Sequence, residues 1–163
     1  MPQVAVIMGS LSDKETVAPC VEVLKKLGIS CAFTVSSAHR TPERTENFVR
    51  EMEEAGCQVF ICAAGMAAHL AGAVAARTIK PVIGIPVTAS ALGGMDALLS
   101  TVMMPPGFPV ATVALDKAGA RNAAWLAAQI LALSDASLAK KLVEERTNFV
   151  TDVEKAAQTL ESI

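Results

Sequence analysis

The sequence predicts an α/β fold built on a parallel sheet, and three observations predict it. Short unbroken apolar runs recur along the chain, as strands buried on both faces require. Each run stops at a turn rich in Gly, Ser, Thr or Pro, and a stretch with helical spacing of apolar residues follows. The alternation persists through most of the chain, and repeated strand-helix-strand units close through right-handed crossovers into one parallel sheet.

The first strand is "VAVIM", residues 4–8, ending at Gly9. In "SLSDKE", Ser12 and Glu15 have the S-x-x-E spacing of a capping box; Val17, Val21, Leu24 and Leu27 then mark one helical face and Gly28 stops it. Pro19 removes a backbone bond inside that helix, which predicts a kink or a late start. Residues 30–35 form the second strand. Thr41 can cap the next helix and Pro42 suits its first position; Phe48, Val49, Met52 and Ala55 supply its apolar face, and Gly56 ends it.

Residues 59–63 make strand three, 66–78 a helix of small residues, and 82–85 strand four. From 88 to 109 the chain is rich in Gly, Pro and Met, with a short helix around 96–102, and long connections of this kind are usually functional. A fifth strand follows at 110–115. The helix at 118–133 has few polar residues, chiefly Arg121, Asn122 and Gln129, and so is predicted to be buried on every side. A last helix begins at about Asp135, carries Leu138, Leu142, Phe149, Val153 and Leu160, and is long enough to project from a small domain. These two helices predict a homo-oligomer.

With 163 residues, 52% of them hydrophobic, the chain reads as one domain over 1–163, in which 135–163 is a helix used in oligomer packing. A formal net charge of −2 and the lack of any basic run exclude the long-range attraction that nucleic acid needs. Cys20, Cys31, Cys57 and Cys62 form no C-x-x-C pair and each sits in an apolar stretch, which fits a reduced cytoplasm. The start "MPQVAVIMGS" lacks a basic head with a long apolar core, and no apolar stretch reaches the roughly 20 residues that span a bilayer, so neither export nor a membrane partner is expected.

Ligands of open α/β sheets bind outside the carboxyl ends of the strands, so three strand-to-helix loops are candidates: "MGSLSD", "SSAHRTP" and "AAGMAAHLAG". The first offers Gly9 for close backbone approach, hydroxyls on Ser10 and Ser12, and amides at a helix start, a set that suits a phosphate. Asp13 could instead accept sugar hydroxyls, and Ser12 could simply cap. In the second loop Arg40 has a planar fork suited to phosphate, and His39 is the side-chain type that titrates nearest neutrality. His69, placed three residues into a helix, could touch a ligand, sit satisfied in the core or face another subunit. The two histidines and scattered cysteines give no metal-ligand spacing, and neither G-x-x-x-x-G-K-[ST] nor G-x-G-x-x-G occurs, so no metal and no dinucleotide or nucleoside triphosphate is expected.

Seven motifs, "MGSLSD", "SSAHRTPE", "GMAAHLAG", "PVIGIPV", "ALGGMDALLS", "MPPGFPVATVAL" and "ARNAAWLAAQIL", resemble in order and spacing the bacterial N5-carboxyaminoimidazole ribonucleotide mutases of purine biosynthesis. The resemblance covers nearly the whole chain. It implies a three-layer, flavodoxin-like or Rossmann-like α/β fold, an octamer, no cofactor, and a small ribonucleotide substrate whose carboxylate moves between two positions. It also implies a catalytic role for His39, a phosphate grip by Arg40, and substrate binding by Ser10 and Asp13 and around Ala67, Ala68, His69 and Leu70, with Ser12, Ser37, Ala38 and Gly65 completing the set. The family commonly has glycine at the positions of Ala63 and Met66, proline at Ala71, serine at Ala97 and glutamine at Met103. A carboxylase of the same fold that adds free carbon dioxide to aminoimidazole ribonucleotide or to a related nucleotide, and a non-catalytic nucleotide-binding module, are the rival readings.

Overall fold

Five strands, β1 (Val4–Met8), β2 (Cys31–Val35), β3 (Val59–Gly65), β4 (Val82–Val87) and β5 (Ala111–Thr112), pair in the order β2-β1-β3-β4-β5. All four pairings are parallel. The computed structural model describes residues 1–161, which fall into two compact units, Met1–Ala127 and the segment from Ala128 onward. The predicted α/β class and parallel sheet are those observed, with the strand order of the flavodoxin-like fold.

Helices α1 (Lys14–Leu27), α2 (Pro42–Glu54), α3 (Leu70–Ala75) and α4 (Met95–Val102) connect successive strands. The chain steps one way from β1 to β2 and the other way afterwards. With right-handed crossovers, α1 therefore lies on one face of the sheet and α2, α3 and α4 on the other. Alternate residues confirm the two faces. Ala5, Ile7, Phe60, Cys62 and Val82 share a buried cluster with Val49 of α2 and with Leu70, Ala71 and Val74 of α3. Their neighbours Val4, Val6, Val59, Ile61, Ile83 and Ile85 are fully or almost fully buried on the opposite face. Burying one such side chain is worth about 1.5–3 kcal/mol, so these two cores dominate the stability of the first unit.

Gly84 shows how tightly one face is filled. A Cβ there would collide with Thr101 Cγ2 of α4 and come 2.9 Å from Val110 Cγ1, so glycine lets α4 lie close to β4.

Several local expectations need correction. The Ser12–Glu15 capping box does not form: a 3-10 turn, Leu11–Asp13, precedes α1, and Ser10 is the cap, accepting from the Ser12 N–H at 3.3 Å. Nor is the start of α1 delayed by Pro19, which lies buried within it at a point where the lost amide costs one bond of the ladder. Gly28 does end α1, in a left-handed conformation (φ 79°), with the Ile29 N–H closing on the Leu24 carbonyl at 2.9 Å. Pro42 opens α2, but the Thr41 hydroxyl caps nothing in it; it turns back to Ser37.

The third helix is six residues rather than thirteen, because residues 66–69 form turns and β3 runs on to Gly65. Strand β5 shrinks to two residues at the sheet edge. Beyond it the Val113 N–H reaches the Gly84 carbonyl at 3.1 Å, and the chain then turns through Asp116, whose carboxylate accepts the Thr88 N–H at 2.8 Å.

Helix α5 (Asp116–Ala132) is not buried on every side within the chain. Ala120, Ala123, Ala124 and Ala127 are fully covered while Arg121, Asn122 and Gln129 are exposed, so its polar residues, though few, share one flank. Helix α6 (Ala136–Glu161) belongs to the second unit and begins where Asp135 accepts the Ser137 and Leu138 N–H groups at 2.9 and 3.0 Å. Its Val143, Val150, Val153 and Leu160 are exposed. Among the described residues no helix is long and apolar enough to cross a membrane.

Candidate active site

The register of the three strands β2, β1 and β3 sets the site. Met8 is level with Val35 on one side and Ala63 on the other. The ladder then runs one step further, Gly9 N–H to the Ala63 carbonyl at 2.9 Å and Ser36 N–H to the Met8 carbonyl at 3.0 Å. Three loops consequently leave the sheet at one edge, where the strand order reverses. Between them lies a cleft of about 730 Å³, a volume typical of small-molecule sites.

The first wall is the Gly9 to Asp13 turn. Ser12 Oγ lies 2.8 Å from Ser10 Oγ and 3.2 Å from Asp13 Oδ1, so the three polar groups form one chain. A Cβ on Gly9 would meet its nearest atoms at an ordinary 3.7 Å, so the fold itself does not demand glycine there.

The second wall, Ser37 to Arg40, is a tied turn. Thr41 donates its N–H to the Ser37 carbonyl at 2.8 Å, and the Arg40 N–H reaches Ser37 Oγ at 3.2 Å. Beneath it, Ser36 and Thr45 share a buried hydroxyl contact of 2.8 Å. With the backbone held, the side chains of His39 and Arg40 remain exposed at the cleft. Arg44 is spent elsewhere, donating to the Val35 carbonyl and to Thr34 Oγ1 at the end of β2.

The third wall is Ala64 to Leu70. Gly65 is required by packing, since a Cβ would lie 2.6 Å from Ala89 Cβ and 2.9 Å from the Val87 carbonyl. Met66 adopts a left-handed φ of 57°, which costs a side-chain-bearing residue about 1–2 kcal/mol. His69 stands just before α3, not inside it, because the Ala68 and His69 N–H groups close tight turns onto the Met66 and Ala67 carbonyls at 2.9 and 2.7 Å. That placement brings its ring onto His39, stacked with centroids 5.8 Å apart and planes inclined by 18°. Behind it, a Cβ on Gly72 would press on Met104 Sδ at 3.1 Å and only touch His69 Nδ1 at an ordinary 3.6 Å.

Of the residues singled out from the sequence, Ser10, Ser12, Asp13, Ser37, Ala38, His39, Arg40, Gly65, Ala67, His69 and Leu70 line this cleft. Ala68 does not; it is buried beneath the turn. Sequence reasoning missed Ala64 and Ala89. Ala89 lay hidden because β4 was expected to stop at residue 85 and in fact continues to Val87. A second cleft of about 780 Å³, around Arg77, Lys80, Pro81 and Phe108, opens near the amino ends of β4 and β5. In it Thr78 Oγ1 bonds Glu53 at 2.5 Å and Arg77 pairs with Glu46 at 3.4 Å, and no histidine is among its lining residues.

The AIR carboxylase family profile matches residues 3–152, a span that includes all three walls. The chain belongs to the AIR carboxylase family. It is 51% identical over 147 residues to the N5-carboxyaminoimidazole ribonucleotide mutase of Bacillus subtilis, covering 90% of this chain and 91% of that protein. Identity to the Escherichia coli protein of the same name is 49% over 144 residues, 88% of this chain and 85% of that one. Among solved structures, Treponema denticola PurE superposes with a TM-score of 0.88 at 28% identity, covering 98% of this chain and 99% of that one.

In this AIR carboxylase family member the ionisable groups of the cleft differ in surroundings. Asp13 is buried, and that burial holds its carboxyl above the ordinary carboxylate range, although the Ser12 hydroxyl and the Ser10 backbone pull it down. Burial also raises the thiols of Cys20, Cys31, Cys57 and Cys62, Cys20 to about 12, and none of the four lines the cleft.

A raised carboxyl value in the folded state means that the folded protein holds the Asp13 proton more tightly than the unfolded chain does. Stability is then lost as pH rises from the ordinary 3.8 through the folded value, and the loss is complete above it. Asp13→Asn keeps an oxygen for Ser12 and does not titrate. Urea midpoints should show it more stable than the parent at pH 7, with the difference vanishing as pH falls below about 3.8. A parent more stable than the variant at pH 7 would mean that hydrogen bonding to the carboxylate outweighs its burial.

Proposed function

We propose that the chain is an N5-carboxyaminoimidazole ribonucleotide mutase of purine biosynthesis, acting in the cytoplasm on a small ribonucleotide. It interconverts N5-carboxyaminoimidazole ribonucleotide and 4-carboxy-5-aminoimidazole ribonucleotide. The observation that carries this reading is the identity of about half to proteins of that name over about nine-tenths of the chain, beside a family match over residues 3–152 that includes every residue lining the cleft.

The chemistry asks for a proton carrier and a closed space. His39 protonates the exocyclic carbamate nitrogen; the nitrogen–carbon bond breaks with its electrons going to nitrogen, and carbon dioxide is released. The enamine-like ring carbon attacks that carbon dioxide, forming the new carbon–carbon bond. Neutral His39 then takes the proton from the same ring carbon and restores aromaticity. One imidazole serves both steps, and such acid–base assistance is worth about 10²- to 10⁴-fold in rate. His69, stacked on His39, holds the carrier in place. Arg40 grips the phosphate with its fork, and the Ser10, Ser12 and Asp13 turn receives the ribose and phosphate oxygens. Ala64, Gly65, Ala67 and Ala89 leave a small-walled space in which carbon dioxide waits in register with the ring.

A homo-oligomer, an octamer by likeness to the mutases, belongs to the same reading. Its support is the row Met95, Leu99 and Val102, which exposes 56, 51 and 44% of these apolar residues along one flank of α4. Light scattering at micromolar concentration should read a multiple of the chain mass; a stable monomer would refute it.

The name AIR carboxylase makes uptake of free carbon dioxide the competing activity. Single turnover decides, using substrate with an isotopically labelled carboxylate, enzyme in excess and unlabelled bicarbonate in solution. The mutase should deliver the label to the ring carboxylate with little exchange. Product carbon drawn from the bulk pool, after subtracting spontaneous decarboxylation, would establish the carboxylase instead, and binding without turnover would establish a nucleotide-binding module. In the same assay His39→Asn should fold and bind nucleotide, yet lose about 10²- to 10⁴-fold in turnover. Near-parental turnover by this variant would remove His39 from the mechanism.

A further inference from the structure

We propose that Met66 is a substrate-contacting residue whose thioether arm lies against the flat face of the heteroaromatic ring bound in the cleft. The inference rests on the nucleotide reading above. Its first support is conformational. At φ 57° glycine is the residue held without strain, yet a long side chain stands here, and 60% of the residue is exposed. Its packing within the chain does not account for its presence.

The second support is what surrounds it. Gly9, Ala64, Gly65, Ala67 and Ala89 offer little apolar area, and Leu70 is 2% exposed. Among the described residues that line the cleft, Met66 alone presents a long, exposed apolar arm. A planar ring has a polar partner for its edge in His39, and Met66 is the group able to cover a face.

The third support is mechanical. The Met66 carbonyl is held by the Ala68 N–H at 2.9 Å, so the backbone is pinned while the unbranched side chain keeps its rotations. A polarizable thioether on such an arm adapts to an aromatic surface and gains from the contact.

The test measures binding by calorimetry to the full chain, with 5-aminoimidazole ribonucleotide and, as a ringless probe, ribose 5-phosphate. Met66→Gly and Met66→Ala should weaken the nucleotide by about 3- to 10-fold and leave ribose 5-phosphate within about twofold, whereas Met66→Leu should retain nucleotide affinity within about threefold. Met66→Gly should also melt above Met66→Ala, because glycine relieves the left-handed backbone while alanine does not, which separates lost contact from lost fold. Unchanged nucleotide affinity in Met66→Gly, or an equal loss for both probes, overturns the assignment. If the unaltered chain turns over the carbamate nucleotide and Met66→Gly binds as tightly, the Met66 role alone falls; if the unaltered chain binds neither probe, the nucleotide reading falls and takes this assignment with it.

Discussion

The level ends of β2, β1 and β3 are the constraint on which the site depends. In a parallel sheet, a shift of one residue in either pairing would reverse which side chains face each core and would displace a loop by more than 3 Å. Two fully buried faces forbid that slip, because Ala5 and Ile7 fill one core while Val4 and Val6 fill the other. The apolar interior thus fixes where Gly9, Ser36 and Gly65 leave the sheet, and the cleft inherits its geometry from residues that never touch a ligand.

Each wall is then stiffened by bonds that leave its outward groups available. Ser37 and Thr41 spend their polar atoms on the turn that carries His39 and Arg40. The turns at Met66 and Ala67 lift His69 clear of α3 and set it on His39. Had residues 66–69 continued the helix, as their alanine content suggests, the His69 ring would project from the helix flank and its stacking partner would be lost. Stacking therefore depends on the strained Met66 backbone, and local cost is exchanged for placement of the His69 ring.

Most of the sheet was legible because an unbroken apolar run of five or six residues has few other uses in a chain of this size. Gly28, Pro42 and Gly56 marked helix boundaries for the same reason, since each has a backbone requirement that other residues meet poorly. What failed to read were polar residues with more than one local option. Ser12 matched a capping box, but its hydroxyl turns to Ser10 Oγ and Asp13 Oδ1; Thr41 matched a cap and turned back to Ser37. Periodicity does not choose between such partners, because the choice depends on the path of the incoming chain. The extent of β5 was unreadable for a different reason. At a sheet edge the ladder has one neighbour, and the Asp116 carboxylate bond to Thr88 carries the chain away while the apolar pattern continues.

The candidate site was more legible than its own secondary structure, and the reason is topological. A parallel sheet whose order reverses between β1 and β3 gathers the loops after β1, β2 and β3 whatever their internal turns. His39 and His69 could be placed on one cleft from that rule even with the wrong helix assigned to His69. What the rule cannot supply is depth. Ala68 follows the same loop and yet points away from the cleft, whereas Ala64 and Ala89 reach it from strand ends. Small residues at strand ends are silent in a sequence, because an alanine that packs a core and an alanine that leaves space in a cleft are written identically. The difference is made by Gly65, whose missing Cβ lets Ala89 approach, so the width of the space beside the histidines is set by a contact between two residues that have no chemistry of their own.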